Sequence, residues 1–273
     1  MHGCGNDYIF IDCFNQEIVS PESLSAKLSN RHTGIGGDGI VLIIPSGIAD
    51  ALMRMFNQDG SEGLMCGNAI RCVAKYLYDN NIARKAMLRI ETMSGVRSLW
   101  LIVENGEVTR VRVDMGQMEL APPKVPVMLP VDRVISTPVA IGGDEYKLTC
   151  LSIGNPHAVV FIDEMPVEPD LRAIGPLFEY NALFPDRVNL EIVEVVDDRS
   201  INVKVWERGS GETLACGTGA CAAAVASVLN GRCAKNEDIY VRLPGGELTV
   251  KYTDAAVYLT GDCIKVFDGT VEV

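Results

Sequence analysis

Residues 206–222, WERGSGETLACGTGACA, set Cys216 between a glycine-rich turn and an alanine-rich run. Residues 56–72, FNQDGSEGLMCGNAIRC, do the same for Cys66. Phe56 and Trp206, Glu62 and Glu212, Leu64 and Leu214, and Gly67 and Gly217 are each 150 positions apart. Two further blocks follow in the same order. GNDYIFID from Gly5 matches GNPHAVVFID from Gly154, and SGVRSLWLIVENGEVTRVRVDMG from Ser94 matches PGGELTVKYTDAAVYLTGD from Pro244. The period is far too long for a solenoid, so the reading is two pseudo-symmetric domains with a site in the cleft between them.

The local patterns agree with that division. ALMRMF (51–56) and INVKVWE (201–207) read as strands, the second by its alternation through Val203 and Val205. The Ser94 block reads as a hairpin turning at Asn105-Gly106. Ala69–Tyr78 and Gly219–Leu229 read as helices, the second so rich in alanine that it must be closely packed and ended by Gly231. APPKVPVMLP (121–130) can hold neither a central strand nor a long helix and is expected to be the inter-domain linker and hinge. The expected domains are 1–117, carrying Cys66 and joined by a C-terminal strand at 263–273, and 118–262, carrying Cys216.

Composition narrows the function. The formal net charge of −12 over 273 residues argues against nucleic acid and against anionic membrane. The N-terminus lacks the basic start and apolar run of a secretory leader, and no segment reaches the roughly 20 apolar residues of a membrane span. Nine scattered cysteines in such a chain read as cytoplasmic and reduced. With three histidines and no Cys-x-x-Cys pair, no metal is expected. The glycine-rich GIGGDG (34–39) lacks the Gly-Lys-Ser/Thr ending of a phosphate loop.

A cysteine at a helix start meets unpaired backbone N–H groups and the positive end of the dipole. Its pKa is expected to fall from about 8.5, to about 7.5 or below in favourable cases. The same N–H groups can hold a carboxylate, and Gly67 and Gly217 let the backbone approach a ligand. A lone cysteine usually just packs, but two facing thiols suit a particular reaction. One thiolate removes the proton beside a carboxylate, and the opposite thiol returns one and inverts the carbon. Displacement by one thiol with His157 as its base is the alternative. Cys4, Cys13, Cys72, Cys150, Cys221, Cys233 and Cys263 lack this setting and default to packing.

HGCGNDYIFID, NRHTGIGGDG, FNQDGSEGLMCGNAIRC, SIGNPHAVVFID, the RVN of 187–189 and WERGSGETLACGTGACAA together resemble the diaminopimelate epimerase family. The resemblance covers essentially the whole chain. Proline racemases, the alternative, share the paired thiols but not the GNPH and ERGSGE contexts. The resemblance implies an α+β fold of two similar domains, each a barrel-like, mostly antiparallel sheet around a central helix. It implies cofactor-independent, two-base epimerisation of LL-diaminopimelate to the meso form, with Cys66 and Cys216 as the catalytic pair. Gly67, Asn68, Gly217 and Thr218 match positions holding the carboxylate at the reacting carbon. Asn6, Asn57, Asn155, Asn189, Glu207 and Arg208 match substrate-binding residues. His157 either assists near a thiol or supports its loop. The partner implied is the small-molecule substrate, and a homodimer follows from the resemblance alone. The sequence departs from the family at three points. It opens at Met1-His2 where a short strand usually precedes, Cys4 replaces an aliphatic residue, and Gly39 stands where many members carry a substrate-binding Gln.

Overall fold

The computed structural model describes residues 1–165 and 171–272. The chain divides into two units, Met1–Asp114 with Thr260–Val273, and Met115–Leu259.

The first unit comprises β1 (His2–Gly3), β2 (Asn6–Asp7), β3 (Ile9–Asp12), α1 (Pro21–Leu28), β4 (Gly39–Ile44), β5 (Ala51–Asn57), β6 (Glu62–Gly63), α2 (Gly67–Asp79), β7 (Met87–Thr92), β8 (Gly95–Glu104) and β9 (Glu107–Gly116). Parallel strands need a crossover, and helices supply both here. α1 carries the chain from β3 to its parallel neighbour β4, and α2 carries it from β5 to β7. Antiparallel pairing joins β4 to β5 and runs through β7, β8 and β9. β4, GIVLII, is buried almost throughout, hence its continuous apolar run. Asn105 and Gly106 both take positive φ, 52° and 86°, as the two-residue turn between β8 and β9 demands.

The second unit comprises β10 (Thr137–Ile141), β11 (Asp144–Ser152), β12 (Pro156–Ile162), α3 (Leu171–Glu179), β13 (Asn189–Asp197), β14 (Ser200–Glu207), β15 (Gly211–Thr213), α4 (Gly217–Leu229), β16 (Asp238–Leu243), β17 (Gly246–Tyr252) and β18 (Val257–Asp262), whose last residues belong to the first unit. The crossovers recur. α3 links parallel β12 and β13, and α4 links parallel β14 and β16. Every residue from Ala220 to Ala226 on α4 is fully buried, and the helix packs against β11, β12, β13, β14, β16 and β17. A helix apolar all round belongs inside, and here the sheet wraps it.

The repeat extends to strand register. Ile40 faces Phe56 as Leu190 faces Trp206, and Phe56 faces Glu62 as Trp206 faces Glu212. α1 and α3, which the sequence reading did not anticipate, take the same place in the two halves, each between two parallel strands.

Two expectations need correction. Ala121–Pro130 is no free linker. It lies wholly in the second unit, with Val125 and Val127 in a core that includes Leu148, Phe178 and Phe184. Its prolines bar regular structure, but the valines between them still bury. Nor do the described residues beyond 262 form a strand. β18 ends at Asp262, Ile264 makes one isolated bridge with His2, and Val266, Phe267 and Val271 stay exposed.

Candidate active site

Cys66 and Cys216 are the N-caps of α2 and α4, each in extended backbone with φ/ψ of −130°/123° and −115°/117°. Neither helix has an acidic residue in its first turn, so no side-chain anion there answers the helix-start N–H groups. The half-buried Cys66 points its thiol at Asn6 Oδ1, 3.4 Å away. Asn6 is held from both sides. Its amide donates to Asp38 Oδ2 at 2.7 Å, and its oxygen also accepts from Asn68 Nδ2 at 3.3 Å. Arg31 bridges Asp7 and Asp38, and its hydrogen bond to Asp7 holds that carboxyl below its usual range. Behind the helix start lies the wholly buried Arg71. It donates to Gly67 O at 2.9 Å, to Asn68 Oδ1 at 3.0 Å and to Asp262 O at 3.0 Å.

The second unit builds its cluster from different parts. Cys216 Sγ accepts from Gly219 N at 3.3 Å and lies 3.4 Å from Thr218 Oγ1. Asn155 Nδ2 donates to Thr218 Oγ1 at 3.3 Å, and Asn155 Oδ1 lies 3.0 Å from His157 Nε2. His157 Nδ1 meets Glu191 Oε1 at 2.7 Å, with both side chains fully buried. Burial pushes the Cys216 thiol well up, the Glu207 carboxylate adds to this, and the Thr218 and Gly219 donors only partly offset it. The lowered pKa expected for Cys216 is therefore corrected: desolvation outweighs the helix start.

The loop after β14 is anchored from α3. Glu179 accepts from Trp206 Nε1 at 2.7 Å and from Gly209 N at 2.9 Å. Gly175 makes this approach possible, since a Cβ there would sit 2.2 Å from the indole. Glu207 accepts from Thr213 Oγ1 at 2.6 Å, and Asn189 Oδ1 accepts from Arg208 N at 2.8 Å. The exposed Arg208 guanidinium reaches Asp186 O at 2.8 Å. Asn57, at the end of β5, bonds to Ser61 Oγ at 3.0 Å rather than to the Cys66 cluster.

The family model described as diaminopimelate epimerase matches residues 1–121 and 149–266. The chain belongs to the diaminopimelate epimerase family. It is 49% identical over 275 residues to the diaminopimelate epimerase of Acetivibrio thermocellus, covering 100% of this chain and 97% of that one. It is 48% identical over 275 residues to that of Methanococcus maripaludis strain C6, with 100% and 98% covered. In fold it is similar to a probable proline racemase from Agrobacterium radiobacter, with a TM-score of 0.66 at 16% identity, covering 96% of this chain and 88% of that one. Against the diaminopimelate epimerase pattern, two departures now have a structural reading. A Cβ on Gly39 would lie 2.0 Å from Phe56 O, so no side chain reaches out from this position. Cys4 has φ 51°, points its thiol at Asp262 Oδ1 and is pushed up to about 12 by burial, so it is a packed, unreactive thiol. Asp38, Arg71, Thr213, Glu179 and Glu191 support the site and were not singled out by the sequence reading. For Glu191 the available signal was a lone acid inside the buried run of β13, NLEIV.

Proposed function

We propose that the chain interconverts LL- and meso-diaminopimelate without a cofactor, Cys66 and Cys216 serving as the two bases. The observation that carries this reading is one cysteine N-cap in each unit, each following strand pairs of matching register, within a chain of this family. One sulfur, as thiolate, takes the α-proton while the other, as thiol, gives one to the opposite face. The roles exchange in the reverse direction. The N–H groups at Gly67, Asn68, Gly217 and Thr218 hold the adjacent carboxylate as charge develops on the reacting carbon. Asn6, Asn57, Asn155, Asn189 and Glu207 orient the polar groups of the substrate. Arg208, exposed and fork-shaped, takes the distal carboxylate. The same reading places the enzyme in the cytoplasm, in lysine and peptidoglycan precursor synthesis. By family likeness it also makes the enzyme a homodimer, which sedimentation would check.

The test is incubation with LL-diaminopimelate and, separately, with proline, without pyridoxal phosphate and in deuterated water. Conversion of diaminopimelate alone, with early deuterium in product and little in recovered substrate, is expected. Conversion of proline would move the assignment to the racemases. Equal early labelling of substrate and product would replace two bases by one.

A further inference from the structure

Behind Cys216 lies a titratable pair that the proposed chemistry does not use. His157 and Glu191 are wholly buried and 2.7 Å apart, and Glu191 Oε2 has no hydrogen-bond partner among the described residues. A carboxylate left with one bare oxygen in a dry interior is among the costliest groups to keep ionised. The neighbouring bonds carry a direction. Asn155 gives its amide hydrogen to Thr218 Oγ1, so its oxygen must receive from His157 Nε2. Thr218 Oγ1, already accepting, has its own hydrogen left for Cys216 Sγ. Nε2 therefore carries a proton, and one further proton lies between Nδ1 and Glu191 Oε1.

We infer that Glu191 is a protonated positioning acid at the head of a one-way donor chain, Glu191 to His157 to Asn155 to Thr218, that ends by donating into the Cys216 sulfur. In this form the imidazole is neutral and no buried charge from the pair opposes a Cys216 thiolate. Burial raises Glu191, as such a state requires, with His157 only partly opposing it. Gly219 keeps the packing close. A Cβ there would lie 2.9 Å from Glu191 Oε1 and 3.4 Å from Cys216 Sγ. Among the described residues, the other titratable groups facing this cluster within the unit are Glu207 on β14, which bears on Cys216 directly, and Cys150 on β11, pushed up to about 12 and neutral.

The inference rests on Cys216 acting as a base, so its test reads the sulfur and not turnover. The pH dependence of Cys216 alkylation is followed by peptide mass spectrometry, alongside ¹⁵N NMR of histidine-labelled wild-type protein. With only three histidines in the chain, His157 is readily assigned. His157 should show a single protonated nitrogen, Nε2. Protonation of both nitrogens would mean an ionised Glu191 and overturn the inference. Glu191→Gln can donate as the acid does and should leave the alkylation midpoint in place. A tenfold or greater gain in reactivity at fixed pH would reveal a lost negative charge and sink the idea. Glu191→Leu should slow alkylation about tenfold at fixed pH by releasing the imidazole, and an unchanged rate would also overturn it. Should the leucine variant fail to fold, the glutamine variant and the wild-type spectrum decide. Loss of epimerase activity with a wild-type alkylation profile would count against the catalytic assignment alone.

Discussion

Cys66 meets the side-chain oxygen of Asn6, an acceptor, whereas Cys216 receives the Gly219 N–H and faces the Thr218 hydroxyl. Two sulfurs with one backbone setting thus have different hydrogen-bond partners. Replacing either by serine should lower kcat/KM by on the order of 10²–10⁴-fold, since a hydroxyl is far too weak an acid to share the role. Retention of most activity in either variant, followed by chiral chromatography of the products, would refute the pair. Gly39→Gln should cost about 1–3 kcal/mol and bring no new contact to the site, because its Cβ runs into Phe56 O. A chemical melt reads it, and an unchanged midpoint would contradict the packing. Cys66, Cys216, Asn6, Asn155 and Thr218 were legible because each sits in a motif that occurs twice or near one. Glu191, Asp38 and Arg71 were not. The positions 150 away hold Val41, Val188 and Cys221, so a search by repetition passes over them.

The elements were read more easily than their supports. The small-residue runs after the two cysteines and the Asn-Gly turn gave α2, α4 and the β8–β9 hairpin to within a residue or two. The Pro-rich segment misled because proline reports on backbone geometry and says nothing about whether its neighbours bury. α3 shows how a crossover helix can set a loop. Glu179 ties both Trp206 and Gly209 to it, and the strand end between them carries Glu207 and Arg208. Glu179→Leu would leave the half-buried Trp206 Nε1 without its partner, at about 1–3 kcal/mol, and release the exposed Gly209 N–H to water. If the loop supplies binding groups and not the bases, as proposed, the substitution should raise KM for diaminopimelate more than it lowers kcat. Steady-state kinetics and a melting curve separate the two effects, and a fall in kcat with unchanged KM would refute the loop's role.

Across the whole molecule, burial holds Cys4, Cys72, Cys150 and Cys263 up to about 12 against an ordinary value of 9.0. The folded state therefore keeps protons that the unfolded chain releases above pH 9. Stability from these groups is complete below that pH and drains away as pH climbs toward 12. Urea midpoints measured from pH 8 to 11 should hold up to about pH 9 and fall beyond it, and a flat profile throughout would contradict the burial. The division into two α+β halves was legible because duplication writes each half's pattern twice. The matched registers also make the chain its own control experiment. In a saturation scan of cellular abundance, the tolerance profiles of paired positions such as Ile40 and Leu190, or Phe56 and Trp206, should largely coincide, since they fill the same place in the same ladder. Where paired profiles part company, the scan would mark the positions at which two copies of one ladder have come to carry different demands.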